Sequence, residues 1–269
     1  MAILQDRLWL WGQSPDAHYE HNNTYSLPGH SRMSAVEGCY YFDIHNICRV
    51  RMMGHPQPPY DQESIAMRPC RQVVWSLLGA GGEPVTEWGD AEEVIRQARM
   101  FPNITGGVFD DFFLKKRIET YTPDRLHTLG ERLDREAGRH LDMWVVCYEH
   151  NLDDVPNIAE YLNEFDVISF WTWRGSELCR AERNIERVRA LAPTKRIMAG
   201  MYMWNYGERR PLTDEEMSGQ AATYLRLIKE GKLDGIILCS NCIGDLGIDA
   251  VEWTRNWIAE HKNDPVPER

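Results

Sequence analysis

The chain has 269 residues, with 41 Asp and Glu against 30 Lys and Arg, for a formal net charge of -11. That balance argues against non-specific binding to nucleic acid or to an anionic membrane surface, whose phosphates it repels, and fits a small neutral or cationic molecule. No apolar run reaches the ~18 residues of a membrane helix. Residues 1–11 carry Arg7 as their one positive charge and no small-residue cleavage site, so no secretory signal is expected. The seven cysteines (Cys39, Cys48, Cys70, Cys147, Cys179, Cys239 and Cys242) fall largely in apolar stretches. They read as reduced, mostly buried thiols of a cytoplasmic protein.

Short apolar, β-rich runs alternate with longer runs of helical period. Leu8–Gly12 predicts a first strand, 34–44 a helix opened by Ser34 and Glu37 at capping-box spacing, and 47–53 a second strand. A short helix over 61–67 leads to a strand at Gln72–Leu78. Asp90 and Glu93 predict the capped start of a helix over 90–101, with Ala91, Val94, Ile95 and Ala98 on its apolar face. Ile104–Phe109 is the fourth strand. Pro123 sits in the first turn of a helix over 122–137 with Leu126, Leu129 and Leu133 on one side. Strands at 143–148 and 167–172 flank a short helix at 158–164. Ala181–Leu191 is helical, 196–203 a strand, 213–230 a helix opened by Thr213 and Glu216, Gly235–Cys239 a strand and Asp249–His261 the last helix.

Eight strands and eight helices in strict order predict parallel strands joined by helical crossovers, as one (β/α)8 barrel domain over residues 1–269. An open doubly wound sheet carries a glycine-rich phosphate turn after its first strand, and the segment here, GQSPDAHYEHNN, has one glycine. The polar loop 13–33, with His18, His21 and His30, and the proline-rich loop 54–60 both follow strands. Residues 262–269 form a polar tail expected to fray.

In such barrels chemistry sits at the carboxyl ends of the strands. The strongest element is GVFDDFF, residues 107–113, where Asp110 and Asp111 end an apolar strand among Phe109, Phe112 and Phe113. Apolar walls and a second carboxylate both raise a carboxyl pKa, as a proton donor at neutral pH requires. Strand alternation predicts that only one of the two faces the site; Asp111, further out, is taken as the acid with Asp110 in support. Glu149, ending the fifth strand, is the candidate for the partner carboxylate of glycoside hydrolysis. Trp11, Trp75, Trp171, Trp173 and Trp204 lie near carboxyl strand ends, where flat rings suit the C–H face of a sugar. His55, Arg174, Tyr202 and Asn205 complete the predicted substrate-binding set.

No metal is assigned. Cys239 and Cys242 form a single CxxC with no second pair, and two buried thiols account for it. A divalent-metal barrel would recruit His55, Asp110, Glu149, His150 and Asp245, but HExxH is absent, as is GxSxG. No cofactor is expected.

With these residues laid out, the chain resembles the glycoside-hydrolase-like (β/α)8 barrels. The specific part is ITGGVFDDFF, similar to the fourth strand of family 18 chitinases, DGxDxDxE, in its glycine, apolar strand and acidic end. It departs at the last position, where Phe113 replaces the acid glutamate, and at the seventh strand, where Glu208 alone offers a nucleophile. The resemblance implies a small-molecule or oligosaccharide substrate and paired-carboxylate hydrolysis. A metal-dependent sugar isomerase, epimerase or aldolase-like barrel is the alternative, with a non-catalytic sugar-binding barrel as a third reading.

Overall fold

The computed structural model describes residues 2–82 and 84–268. Eight parallel strands close into a barrel in chain order: β1 (Leu8–Gly12), β2 (Asn46–Arg49), β3 (Gln72–Leu78), β4 (Ile104–Phe109), β5 (Asp142–Tyr148), β6 (Val167–Trp171), β7 (Arg196–Tyr202) and β8 (Gly235–Cys239). Strand β8 pairs with β7 on one side and β1 on the other, which closes the ring. Helices α1 (Ala35–Phe42), α2 (Asp61–Ala66), α3 (Ala91–Met100), α4 (Pro123–Ala137), α5 (Ile158–Leu162), α6 (Ala181–Leu191), α7 (Asp214–Lys229) and α8 (Asp249–His261) follow the strands one by one. Among the described residues, no helix is long and apolar enough to cross a membrane.

The predicted caps hold at α1 and α7. Ser34 and Thr213 accept from the Glu37 and Glu216 amides, while those glutamates reach back to the cap amides. At α3 the prediction fails. Asp90 caps nothing, because its carboxylate accepts instead from Arg51 (2.9 Å) and the Tyr60 hydroxyl (3.1 Å). Strand β2 stops four residues before the predicted end, since Met52 and His55 pair with each other and turn the chain. The tail does not fray: Pro265–Val266 pairs antiparallel with Ala2–Ile3, and Val266 is buried. Arg269, the last residue of the predicted tail, lies outside the described residues.

Alternation along the strands sorts side chains between the barrel interior and the helices. Trp9 and Trp144 meet inside with ring centroids 4.7 Å apart, and fill the axis below the carboxyl mouth. Trp75 points the other way, stacking on Tyr60 at 4.3 Å and donating to Ser64, so it packs under α2 rather than lining a site. Gly200 in β7 is required by this packing, because a Cβ there would lie 2.0 Å from the Trp171 ring.

Candidate functional site

Continuing the inward parity of each strand past its end builds a cavity at the carboxyl mouth. Trp11 and Gln13 extend β1, Val146 and Tyr148 end β5, Trp171 and Trp173 extend β6, Tyr202 ends β7, and Cys239 ends β8. Loop 13–33 contributes His18 and Tyr25, and Met52, Ala80 and Tyr206 complete the wall together with Asp110 and Asp111. Seven of these residues carry Trp or Tyr rings, and among the described lining residues none is Lys or Arg. The cavity measures about 90 Å³. At roughly 10–15 Å³ per water it takes on the order of seven waters, about the bulk of one small ring.

Both aspartates reach this cavity, which corrects the expectation that only one would. Asp110 shares the parity of Val108 and continues inward. Asp111 lies two residues past the strand, where regular alternation would turn it away, but it has a left-handed backbone (φ 42°) that swings its side chain back. Asp111 is then held at both oxygens. The Tyr148 hydroxyl donates to Oδ1 at 3.0 Å and the Gly81 amide to Oδ2 at 2.6 Å. Asp110 is buried (5% exposed) and its Oδ1 accepts the Asp111 amide at 2.9 Å. Burial holds the Asp110 carboxyl well above the usual range, the Asp111 charge pushes it further, and the Arg117 guanidinium opposes both. Arg117 itself donates to the carbonyls of Asp110 and Ala80, fixing the end of β4 against the loop after β3.

The remaining walls are polar in places but uncharged. His18 is buried, which lowers its pKa to about 3 with a smaller push from His21, so the ring is neutral; its Nδ1 lies 2.9 Å from the Tyr206 hydroxyl. The Gln13 amide nitrogen contacts Met52 sulfur at 3.1 Å, whereas its buried Oε1 has no partner among the described residues. That oxygen is an unsatisfied buried acceptor on a residue that lines the cavity.

Several predicted residues lie on the same end of the barrel but outside the cavity. Glu149 follows Tyr148 and has the opposite parity. Its two oxygens each accept the Trp173 amide at 3.1 Å, and it borders a separate surface depression with Glu177 and Arg187. Burial raises its pKa, but it does not share a wall with the aspartates. Trp204 and Asn205 are buried behind the wall. A two-residue strand pairing of Trp204–Asn205 with Arg210–Pro211 turns them out of register, and Trp204 donates to the Tyr25 carbonyl at 3.0 Å. Glu208 is tied to Ser176, Arg210 and Asn205, with the Ser176 hydrogen bond first among the causes that lower its pKa to about 2. His55 and Arg174 are exposed and do not line the cavity.

The hypothetical metal set is dispersed. Asp245 accepts the Arg32 amide at 2.8 Å, and among the described residues it forms no ion-sized cluster with His55. Among the described residues, the acidic and histidine atoms close enough to share an ion belong to His140, Asp142 and Asp166, at the amino ends of β5 and β6. There Arg196 already pairs with Asp142 at 2.5 Å, so the cluster reads as an ion-pair network. Cys239 faces the cavity, while the Cys242 thiol donates to the Ser14 carbonyl at 3.1 Å.

No known protein family and no curated protein matches the sequence. Solved structures do match in fold. A probable 2-pyrone-4,6-dicarboxylic acid hydrolase from Acinetobacter baumannii is 10% identical, with TM-score 0.55, over 94% of this chain and 92% of that one. A chitinase from Ipomoea carnea is 14% identical, with TM-score 0.53, over 95% and 99%. A glycoside hydrolase family 18 N-acetylglucosaminidase from Paenibacillus barengoltzii is 12% identical, with TM-score 0.52, over 92% and 99%. At these identities the likeness establishes the barrel and leaves the chemistry to the site.

Proposed function

We propose that this barrel is a carbohydrate-active enzyme that hydrolyses a glycosidic bond to a neutral sugar. The observation that carries the reading is a buried carboxyl, Asp110, beside a second, hydrogen-bonded one, Asp111, in a ring-lined cavity sized for one sugar. The roles run opposite to the assignment made from sequence. Asp110, which burial keeps protonated, donates its proton to the glycosidic oxygen as the bond to the anomeric carbon breaks. Asp111, whose oxygens are held by Tyr148 and Gly81, faces the positive charge that develops on the ring. Trp and Tyr faces add to that stabilisation. Water then supplies the hydroxyl to the anomeric carbon, and its proton restores the acid. Glu149 acts at one remove, holding the Trp173 backbone rather than touching substrate.

The test is turnover of a panel of aryl glycosides of neutral hexoses and N-acetylhexosamines by the wild type, Asp110→Asn and Asp111→Asn. The reading predicts turnover of at least one sugar, reduced by about 100-fold to 10,000-fold in Asp110→Asn. No turnover of any of them, or equal rates in all three proteins, rejects it.

A further inference from the structure

The small cavity adjoins a larger cleft of about 730 Å³, and the two share Asp111, Tyr148 and Trp173. The rings of Tyr148 and Trp173 meet edge to face at 6.0 Å, so they stand as a partition with Asp111 at the gap. Beyond it Phe113, Leu114, Ile118, Val155 and Pro156 form a mostly apolar wall, on which Lys115, His150, Asn151 and Asp154 are the polar residues. Leu114 is 49% exposed, among the largest exposures of any big apolar side chain in the protein. Below the small cavity, the barrel axis is closed by Trp9 against Trp144.

We infer that the outer cleft binds an apolar aglycone, aryl or alkyl, of a glycoside whose single terminal sugar occupies the small cavity. The inference rests on the reading that the small cavity takes the sugar. A cavity closed at its floor and sized for one ring admits only a chain end, so cleavage is exo-acting. The scissile bond spans the gap beside Asp111, which puts everything on the leaving side against Leu114, Ile118 and Val155. Those side chains offer no donor or acceptor to a second sugar's hydroxyls, whereas they remove an aryl or alkyl group from water. Covering some 55 Å² of apolar surface is sufficient for about a tenfold gain in affinity.

The experiment is calorimetric binding of methyl, phenyl and octyl glycosides of one sugar, across glucose, galactose and N-acetylglucosamine, to Asp110→Asn protein, with and without Leu114→Asp. Leu114 lines the outer cleft and not the small cavity, so the second change leaves every lining residue of the small cavity in place. The phenyl and octyl ligands are expected to bind about tenfold tighter than the methyl glycoside. Leu114→Asp is expected to erase most of that ratio while methyl glycoside binding holds. Equal binding of all three ligands, a ratio untouched by Leu114→Asp, or no glycoside binding at all overturns the inference. A preserved ratio in a protein whose wild type hydrolyses none of these glycosides rejects the hydrolytic reading and leaves the aglycone cleft standing.

Discussion

Asp110 carries an unusual cost for a carboxylate. Its folded pKa lies above its unfolded value, so the unfolded state releases this proton more readily. The linked stability is present at low pH and is lost as pH rises through the folded pKa. Asp110→Asn, which removes the titration at nearly constant shape, should therefore raise the melting temperature relative to wild type above that pKa, with little difference at pH 4. Thermal melts across pH 4–9 check it; a variant destabilised equally at every pH contradicts it. His18 has the opposite sign. Its folded pKa of about 3 lies below the unfolded value of 6.5, so stability is full above 6.5 and falls as pH drops towards 3. His18→Asn should flatten that acid-side loss in the same series of melts, while losing some stability at neutral pH through the Tyr206 contact. Asp111 illustrates what residue types alone hide. Its inward turn comes from a positive φ that nothing in DDFF announces.

At the scale of elements, strands were legible because short apolar runs and helical runs differ in period. Leu8–Gly12, Gln72–Leu78, Ile104–Phe109 and Gly235–Cys239 match the reading from sequence residue for residue. The same period of two contains more of the site than was drawn from it. Once Trp11, Tyr148, Trp171 and Tyr202 face inward, Gln13 and Trp173 follow by parity, and Glu149 and Arg174 are turned away. Trp204 breaks the rule because the pairing with Arg210–Pro211 reorients the chain. Loop 13–33 was not legible in this way: His18 and Tyr25 reach the cavity through a short helix, Ala17–Glu20, and turns that alternation does not govern. Packing inside the strands gives a sharper expectation. Gly200→Ala forces a methyl into the Trp171 ring and should destabilise the fold by about 1–3 kcal/mol, as overpacked cores do. Urea unfolding measures it, and an unchanged midpoint would show that Trp171 has room to move.

For the whole molecule, the net charge of -11 and the make-up of the cavity point the same way. The described lining holds two carboxyls and a neutral histidine but no Lys or Arg, so nothing there offsets an anionic ligand. A uronic acid should bind at least tenfold more weakly than the corresponding hexose, since each factor of ten needs only about 1.4 kcal/mol of like-charge repulsion. Competition between glucose and glucuronate glycosides reads this directly, and equal affinities would contradict it. The barrel's closure was legible from eight alternating units, while the second cleft was not, because it is made largely by the loops after β4 and β5, with Gly81 and Trp173 at its edge, and alternation does not govern loop conformation. The central claim is that Asp110 is the proton donor, and leaving-group dependence tests it most directly. A good leaving group needs little protonation, so Asp110→Asn should lose about 100-fold or more on a glycoside with a poor leaving group and far less on a nitrophenyl glycoside of the same sugar. Equal loss on both substrates would contradict the claim.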